Sequence, residues 1–398
     1  MARTLKSDRT LFGSTLLLVA ASLVMVYSAS AVQQADLKHV SYYYLMRQLA
    51  WVVMGLAGLL CAMRIDYRVL RRPEVIWPLV GLVVVGLVAV FLFRPVKGAH
   101  RWVSLGSFSV QPAEFAKLVA IVFAAALLDR RMHRINDVAY ALAPIAILTV
   151  GFGGLIVKEP DFGTAMMMVA TVVAMVFAAG LSYKYLMGLF ALLVPGAIGL
   201  IALEPYRVDR FLIFLDPWKD QLGKGFQSIQ ALIAVGSGGP LGKGIMAGVQ
   251  KLFYIPEPHT DFIYAVIGEE LGLVGTTFIL VCFVLIAWRG FRTAVLAPDR
   301  FGSLLALGLT TLITLQAFVN MSMVIGLLPT EGVPLPFVSN GGSSLVISLI
   351  GMGILLNISQ QSSRVVAPGD SVLGNGSMSG WVNGPMENLA GASERANA

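Results

Sequence analysis

His259-Thr260-Asp261-Phe262-Ile263-Tyr264 opens an apolar run that continues to Trp288, and beyond Asp261 its only charged residues are Glu269 and Glu270. A run of that length, entered from a basic, Gly-rich stretch, reads as a helix that crosses a bilayer. Asp261 stands at the border, and two readings of it are open. It can cap the helix, with Thr260 or Asp261 accepting the first free backbone N–H groups. Alternatively, within reach of water yet close to low dielectric, it can act as a general base toward a membrane-borne substrate.

The rest of the chain is of the same kind. Over 398 residues it is 57% hydrophobic and 13% charged, more apolar surface than a soluble protein of this length could hide. Ten apolar segments reach spanning length: 11–31, 45–63, 75–93, 113–128, 138–157, 162–180, 184–203, 261–288, 302–326 and 342–357. The first is long enough to span and has no clear cleavage signature, so it is read as a retained helix and not a signal peptide.

Basic residues orient the segments. With the N-terminus inside, fourteen fall on the inner side: Arg3, Lys6, Arg9, Arg64, Arg68, Arg71, Arg72, Arg130, Arg131, Arg134, Lys184, Arg289, Arg292 and Arg300. Six fall in the short outer loops: Lys38, Arg47, Arg94, Lys97, Arg101 and Lys158. That asymmetry predicts both termini in the cytoplasm. The expected fold is an all-α polytopic membrane protein of about ten transmembrane helices, with a large extracytoplasmic loop, about 204–260, between spans 7 and 8. Residues 1–361 form the membrane domain. The tail 362–398, rich in Gly, Ser and Asn, is expected to be a disordered cytoplasmic segment.

The chemistry gathers in the outer loops. The 204–260 stretch holds Arg207, Arg210, Lys219, Lys224, Lys243 and Lys251, with glycines at 236, 238, 239, 242 and 244. Gly-rich turns with Lys or Arg can form an anion-binding concavity suited to pyrophosphate; a flexible, solvated loop is the alternative. It is no nucleotide-binding loop, since Gly244 follows Lys243 and Ser237 stands where the first glycine is needed. Nucleic acid is not an expected partner.

Near 100, Arg101 can offer its planar fork to phosphate, or anchor at the head groups beside Trp102. Glu114 and Lys117, three apart on a helix start, can pair across one turn as a clamp. Glu159 and Asp161 flank Pro160 in a tight outer turn, and Glu269 and Glu270 need partners or water within the bilayer. The two cysteines, Cys61 and Cys282, and the four histidines have neither disulfide nor zinc spacing. No metal ligands are assigned.

These motifs together resemble the SEDS family (shape, elongation, division and sporulation), the group of FtsW, RodA and SpoVE. The likeness rests on His100-Arg101-Trp102, Gln111-Pro112-Ala113-Glu114-Phe115-Ala116-Lys117 and Glu159-Pro160-Asp161-Phe162-Gly163-Thr164. It extends through Gln230 to Gly239, His259-Thr260-Asp261-Phe262-Ile263 and Leu335 to Ser344. Leu215 to Asp220, Gln250-Lys251 and Ile267 to Gly272 look more like FtsW than RodA. Asn340 departs from the family's usual tyrosine, and Gln221 from a proline frequent in FtsW proteins.

The resemblance implies a peptidoglycan glycosyltransferase that polymerises lipid II into glycan strands at the outer face of the bacterial plasma membrane, at the division septum. Its implied partners are lipid II, the lipid-linked glycan strand, a class B penicillin-binding protein that acts as transpeptidase, and other division proteins. Asp261 matches the family's catalytic aspartate; Glu114 and Lys117 match a pair important for activity. Arg101, Arg207, Arg210, Lys219, Lys243 and His259 are expected to bind substrate or support the site. No cofactor is assigned, and assistance by a divalent cation is left open. The alternatives are a lipid II flippase, a non-catalytic scaffold, and an elongation or sporulation paralogue. The outward clustering of polar residues favours the enzyme over the flippase.

Overall fold

In a bilayer every backbone polar group needs an internal partner, and the apolar runs meet that demand as helices. The computed structural model describes residues 8–36, 43–95, 98–105, 108–252 and 258–366. In chain order come α1 (Arg9–Asp36), α2 (Tyr43–Arg64), α3 (Pro73–Ala89), α4 (Pro112–Arg131), α5 (Ala143–Lys158), α6 (Phe162–Ala178) and α7 (Tyr183–Ala202). Next are α8 (Pro205–Leu215), α9 (Phe226–Gly238), α10 (Ile263–Val295), α11 (Arg300–Val324) and α12 (Gly342–Val366). Proline stands in the first turn of α3, α4, α5 and α8, where its missing N–H costs no helical bond. The side chains of Asp161 and Asp299 cap α6 and α11.

All ten predicted segments are helical, but among the described residues eight helices are by themselves long and apolar enough to cross a membrane. The two that fall short are α4 and α6. At 17 residues, α6 extends only about 26 Å at 1.5 Å per residue. The charged residues of α4, Glu114, Lys117, Asp129, Arg130 and Arg131, lower its hydropathy, and most of the helix is buried against protein instead of lipid. The helices α11 and α12 are central, with 67% and 72% of their apolar windows buried, whereas α7 buries none.

The structure adds to or differs from the expectations at four points. The 204–260 stretch is not one loop: it forms α8, a 3₁₀ turn at Pro217–Asp220, and α9, which packs along α10. A β-carbon added at Gly238 would overlap the Gly268 carbonyl, so only glycine permits that approach. The final helix continues to Val366, past the expected start of the tail at 362; residues 367–398 lie outside the described residues. The outer segment before α4 also contains a short antiparallel hairpin, β1 (Val103–Leu105) with β2 (Phe108–Val110), that was not anticipated.

The fourth point concerns α10. It begins at Ile263 and is broken at Gly272, where φ is 64° and ψ is −157°. The break frees carbonyls and amides that must find partners. The Gly-rich segment supplies them: Lys243 and Gly244 N–H donate to the Glu269 and Glu270 carbonyls at 3.0 Å each. In return, Leu273 and Val274 N–H donate to the Gly239 and Pro240 carbonyls at 2.9 and 3.2 Å. This segment is therefore docked on α10 through its backbone, while most of its side chains remain exposed.

Candidate active site

Asp261 lies in the turn 258–262 just ahead of α10, partly accessible between buried His259 and buried Phe262. The cap position of α10 falls on Phe262, whose side chain cannot accept a hydrogen bond, and not on Thr260 or Asp261. Neighbouring main chain and amides hold the turn. Asn320 Nδ2 of α11 donates to the Asp261 carbonyl at 2.8 Å, and Asn340 N–H donates to the His259 carbonyl at 2.9 Å. The His259 ring sits against Tyr44, with centroids 4.4 Å apart. His259 thus helps build the turn.

The segment between α11 and α12 brings the candidate residues together. Thr330 accepts from Arg210 Nη1 at 3.0 Å, Val333 from Asn320 at 2.7 Å, and Pro334 from Gln316 at 2.9 Å. A β-carbon built on Gly332 would lie 3.4 Å from Asp261 Oδ2, so this backbone passes directly beside the carboxylate. At Gly332 φ is +68°, a conformation that glycine adopts readily.

The arginines are engaged more than the sequence suggested. Arg101 Nε donates to the Glu159 carbonyl at 3.1 Å and its Nη2 to the Pro160 carbonyl, so it ties down the turn ahead of α6. Buried Arg207 donates to the Leu200 carbonyl at 2.7 Å and to the Tyr206 hydroxyl at 3.0 Å, with its guanidinium 5.4 Å from the Phe162 ring centre. Both residues stitch helix ends together. Exposed Arg210 differs: beyond its Thr330 bond it lines a cavity of about 220 Å³ with Phe214, Ser228, Leu232, Met323 and Leu328.

Around these arginines lie Glu159, Asp161 and Glu331. Asp161 Oδ2 accepts from Gln111 Nε2 at 2.7 Å, and Oδ1 accepts from Thr164 N–H at 3.3 Å. Glu159 is fully buried, and neither carboxyl oxygen has a hydrogen-bond partner among the described residues. Burial, reinforced by the Asp161 charge and opposed by Arg101, pushes the Glu159 carboxyl up to about 8. Burial likewise raises Glu331, against the pull of Arg210 and Arg207.

Glu114 and Lys117 pair at 3.0 Å with side chains only 2% and 3% exposed. Lys117 also donates to Gln316 Oε1 at 3.0 Å. The expected clamp therefore has a third member. Lys243 pairs with Glu269 at 2.8 Å, and Lys251 with Glu270, which also accepts from Ser28 Oγ at 2.7 Å. Both carboxylates beside the α10 break are thus neutralised from the Gly-rich segment. Lys219 is 79% exposed and lies 3.6 Å from Asp216.

Gln316 and Asn320 went unnoticed in the sequence. The available signal was a pair of carboxamides four residues apart in an apolar helix, which places them on one face. Among the described residues no three His, Cys, Asp or Glu side chains converge as metal ligands.

Comparison with known proteins identifies the family of this fold. Residues 8–364 match the FtsW/RodA/SpoVE model, described as cell cycle protein. A Geobacter metallireducens protein named Probable peptidoglycan glycosyltransferase FtsW is 42% identical over 85% of this chain and 90% of its own. Stage V sporulation protein E of Bacillus subtilis is 40% identical over 87% and 95%. Among solved structures, a chain from a study of polymerization and crosslinking by a peptidoglycan synthase complex aligns with a TM-score of 0.73 at 33% identity, covering 90% of this chain and 99% of that one. RodA of Thermus thermophilus aligns with a TM-score of 0.65 at 27% identity, covering 89% and 97%. By the extent of these matches and by its helical membrane architecture, the chain belongs to the FtsW/RodA/SpoVE family.

Proposed function

We propose that the protein is a peptidoglycan glycosyltransferase that polymerises lipid II at the outer membrane face, with Asp261 as general base. The observation that carries the reading is the position of Asp261: a partly accessible carboxylate at the mouth of α10, on a turn clamped by Asn320 and Asn340 and flanked by Gly332. In the reaction Asp261 takes the proton from the acceptor sugar hydroxyl. The oxygen attacks the anomeric carbon from the face opposite the pyrophosphate. The bond to the leaving oxygen breaks with its electron pair, and an α-linkage becomes a β-linkage without a covalent enzyme intermediate.

Arg210 is the best-placed cation for the departing pyrophosphate. It is exposed, and among the described residues its one hydrogen bond is from Nη1 to the Thr330 carbonyl. Arg101, Arg207 and Lys243 support the fold around the site. Ten crossings with both termini inside follow from the hydropathy and the basic-residue asymmetry; the FtsW names of the relatives support a septal location, and the synthase complex supports a cross-linking partner. In a background lacking Cys61 and Cys282, a cysteine replacing exposed Leu222 should label from outside, and one replacing exposed Glu74 only after permeabilisation. Labelling of both from one side overturns the topology.

The chemical test is Asp261→Asn in purified protein given lipid II and a cross-linking partner. Polymerisation should fall by about 10²–10⁴, the usual contribution of a general base, with insertion and folded yield retained. Asp261→Glu should keep at most a trace. Wild-type polymer from Asp261→Asn would remove the base assignment, and lipid movement without polymer from the unmodified protein would support the flippase.

A further inference from the structure

Asn320 is fully buried in α11, and its carboxamide nitrogen donates twice, to the carbonyls of Asp261 at 2.8 Å and Val333 at 2.7 Å. Its oxygen, Oδ1, is buried without a partner among the described residues. A buried acceptor without a partner is costly, so this orientation must be held by something else. It is dictated by the two carbonyls, since the flipped amide would set oxygen against oxygen. One turn earlier on the same helix face, Gln316 does the parallel job: Nε2 donates to the Pro334 carbonyl at 2.9 Å, and Oε1 accepts from Lys117, the partner of Glu114. A continuous line of polar contacts therefore runs from the Glu114–Lys117 pair through Gln316 to Pro334, and from the adjacent Val333 through Asn320 to the backbone of Asp261.

We propose that Asn320 is a positioning residue for Asp261, its carboxamide tying the main chain of the Asp261 turn to Val333 so that the carboxylate is held beside Gly332. The inference rests on the reading of Asp261 as the base. Gln316 supports the same segment one carbonyl further on, which gives the buried Glu114–Lys117 pair a physical route to the reacting group although neither member touches it. Because Asn320 bonds to the main chain, its loss shifts the carboxylate without removing it. Near-attack geometry is sensitive to such shifts, and a displacement of about 1 Å can cost about 10²-fold.

The test uses full-length protein carrying Asn320→Ala or the near-isosteric Asn320→Asp, each alone and combined with Asp261→Asn. Turnover of lipid II is measured per folded molecule, with KM taken separately. Each single variant should lose about 10–100-fold in kcat, with KM changed less than about two-fold. On the Asp261→Asn background the further loss should be less than about two-fold, because residues that act as a unit are not additive. Wild-type kcat per folded molecule in the single variants overturns the proposal, and so does a full multiplicative loss on that background. If neither variant folds, Asn320 is a folding residue and the proposal falls. Asp261→Asn at the wild-type rate removes the base reading itself, whereas inactive Asp261→Asn beside fully active Asn320 variants removes only this inference.

Discussion

Lys243 Nζ lies 2.8 Å from Glu269 Oε1, across the break in α10, and the carboxylate it meets is completely buried. Glu269 also accepts from the Val249 and Gln250 N–H groups at 2.9 and 3.0 Å, so the lysine completes an anion site made for a side chain of the same protein. Lys243→Ala should lower folding stability, by less than the ~3–5 kcal/mol typical of a fully buried pair because the lysine is 34% exposed, and should lower the melting temperature with it. Turnover per folded molecule should stay close to wild type. A large loss of turnover at normal yield would mean that Lys243 reaches substrate.

The glycines of the inserted segment should divide by their surroundings. A β-carbon at Gly242, where φ is +79°, would collide with the Glu270 carbonyl, whereas Gly236 has open space. Gly242→Ala should reduce folded yield severely and Gly236→Ala should be nearly neutral. Equal yields, measured by detergent-extracted monodisperse protein, would contradict the docking of this segment into α10.

For the Glu114–Lys117 pair, either alanine replacement strands a buried charge, at a cost of about 3–5 kcal/mol. Glu114→Lys combined with Lys117→Glu should recover part of the loss. Recovery should be incomplete because Gln316 Oε1 is already turned toward position 117 while Nε2 holds Pro334. Additive losses in the double-mutant cycle would mean the two residues do not interact.

Glu159 makes stability depend on pH. Its carboxyl is raised from 4.5 to about 8 in the folded protein, so between those values the folded state holds a proton that the unfolded state has released. The contribution of Glu159 to stability should be greatest below about 4.5, fall as pH rises toward about 8 with a slope of at most about 1.4 kcal/mol per pH unit, then level off. Glu159→Gln, which stays neutral, should flatten this slope in thermal melts at a series of pH values. An unchanged slope would place the dependence elsewhere.

Much of the architecture follows from the sequence because a bilayer imposes a demand that is local along the chain. Each run of apolar residues must satisfy its own backbone, so hydropathy alone located the ten long helical segments. Proline and aspartate at their starts agree with the observed ends. The Glu114–Lys117 pair was legible for the same reason, since spacing along one helix turn decides it. The family motifs likewise marked Asp261 directly. Pairing between distant segments was not legible. Whether Lys243 meets a phosphate or Glu269, 26 residues away, depends on which backbone fills the gap at Gly272. Whether Arg101 and Arg207 face substrate or helix-end carbonyls depends on how α5, α6 and α7 end beside one another. Gln316 and Asn320 acquire meaning only when the 330–334 backbone crosses their face of α11. Helix formation is determined by near neighbours, but the partner of a buried polar group is whichever group the packing brings within 3 Å, and only the tertiary structure decides that.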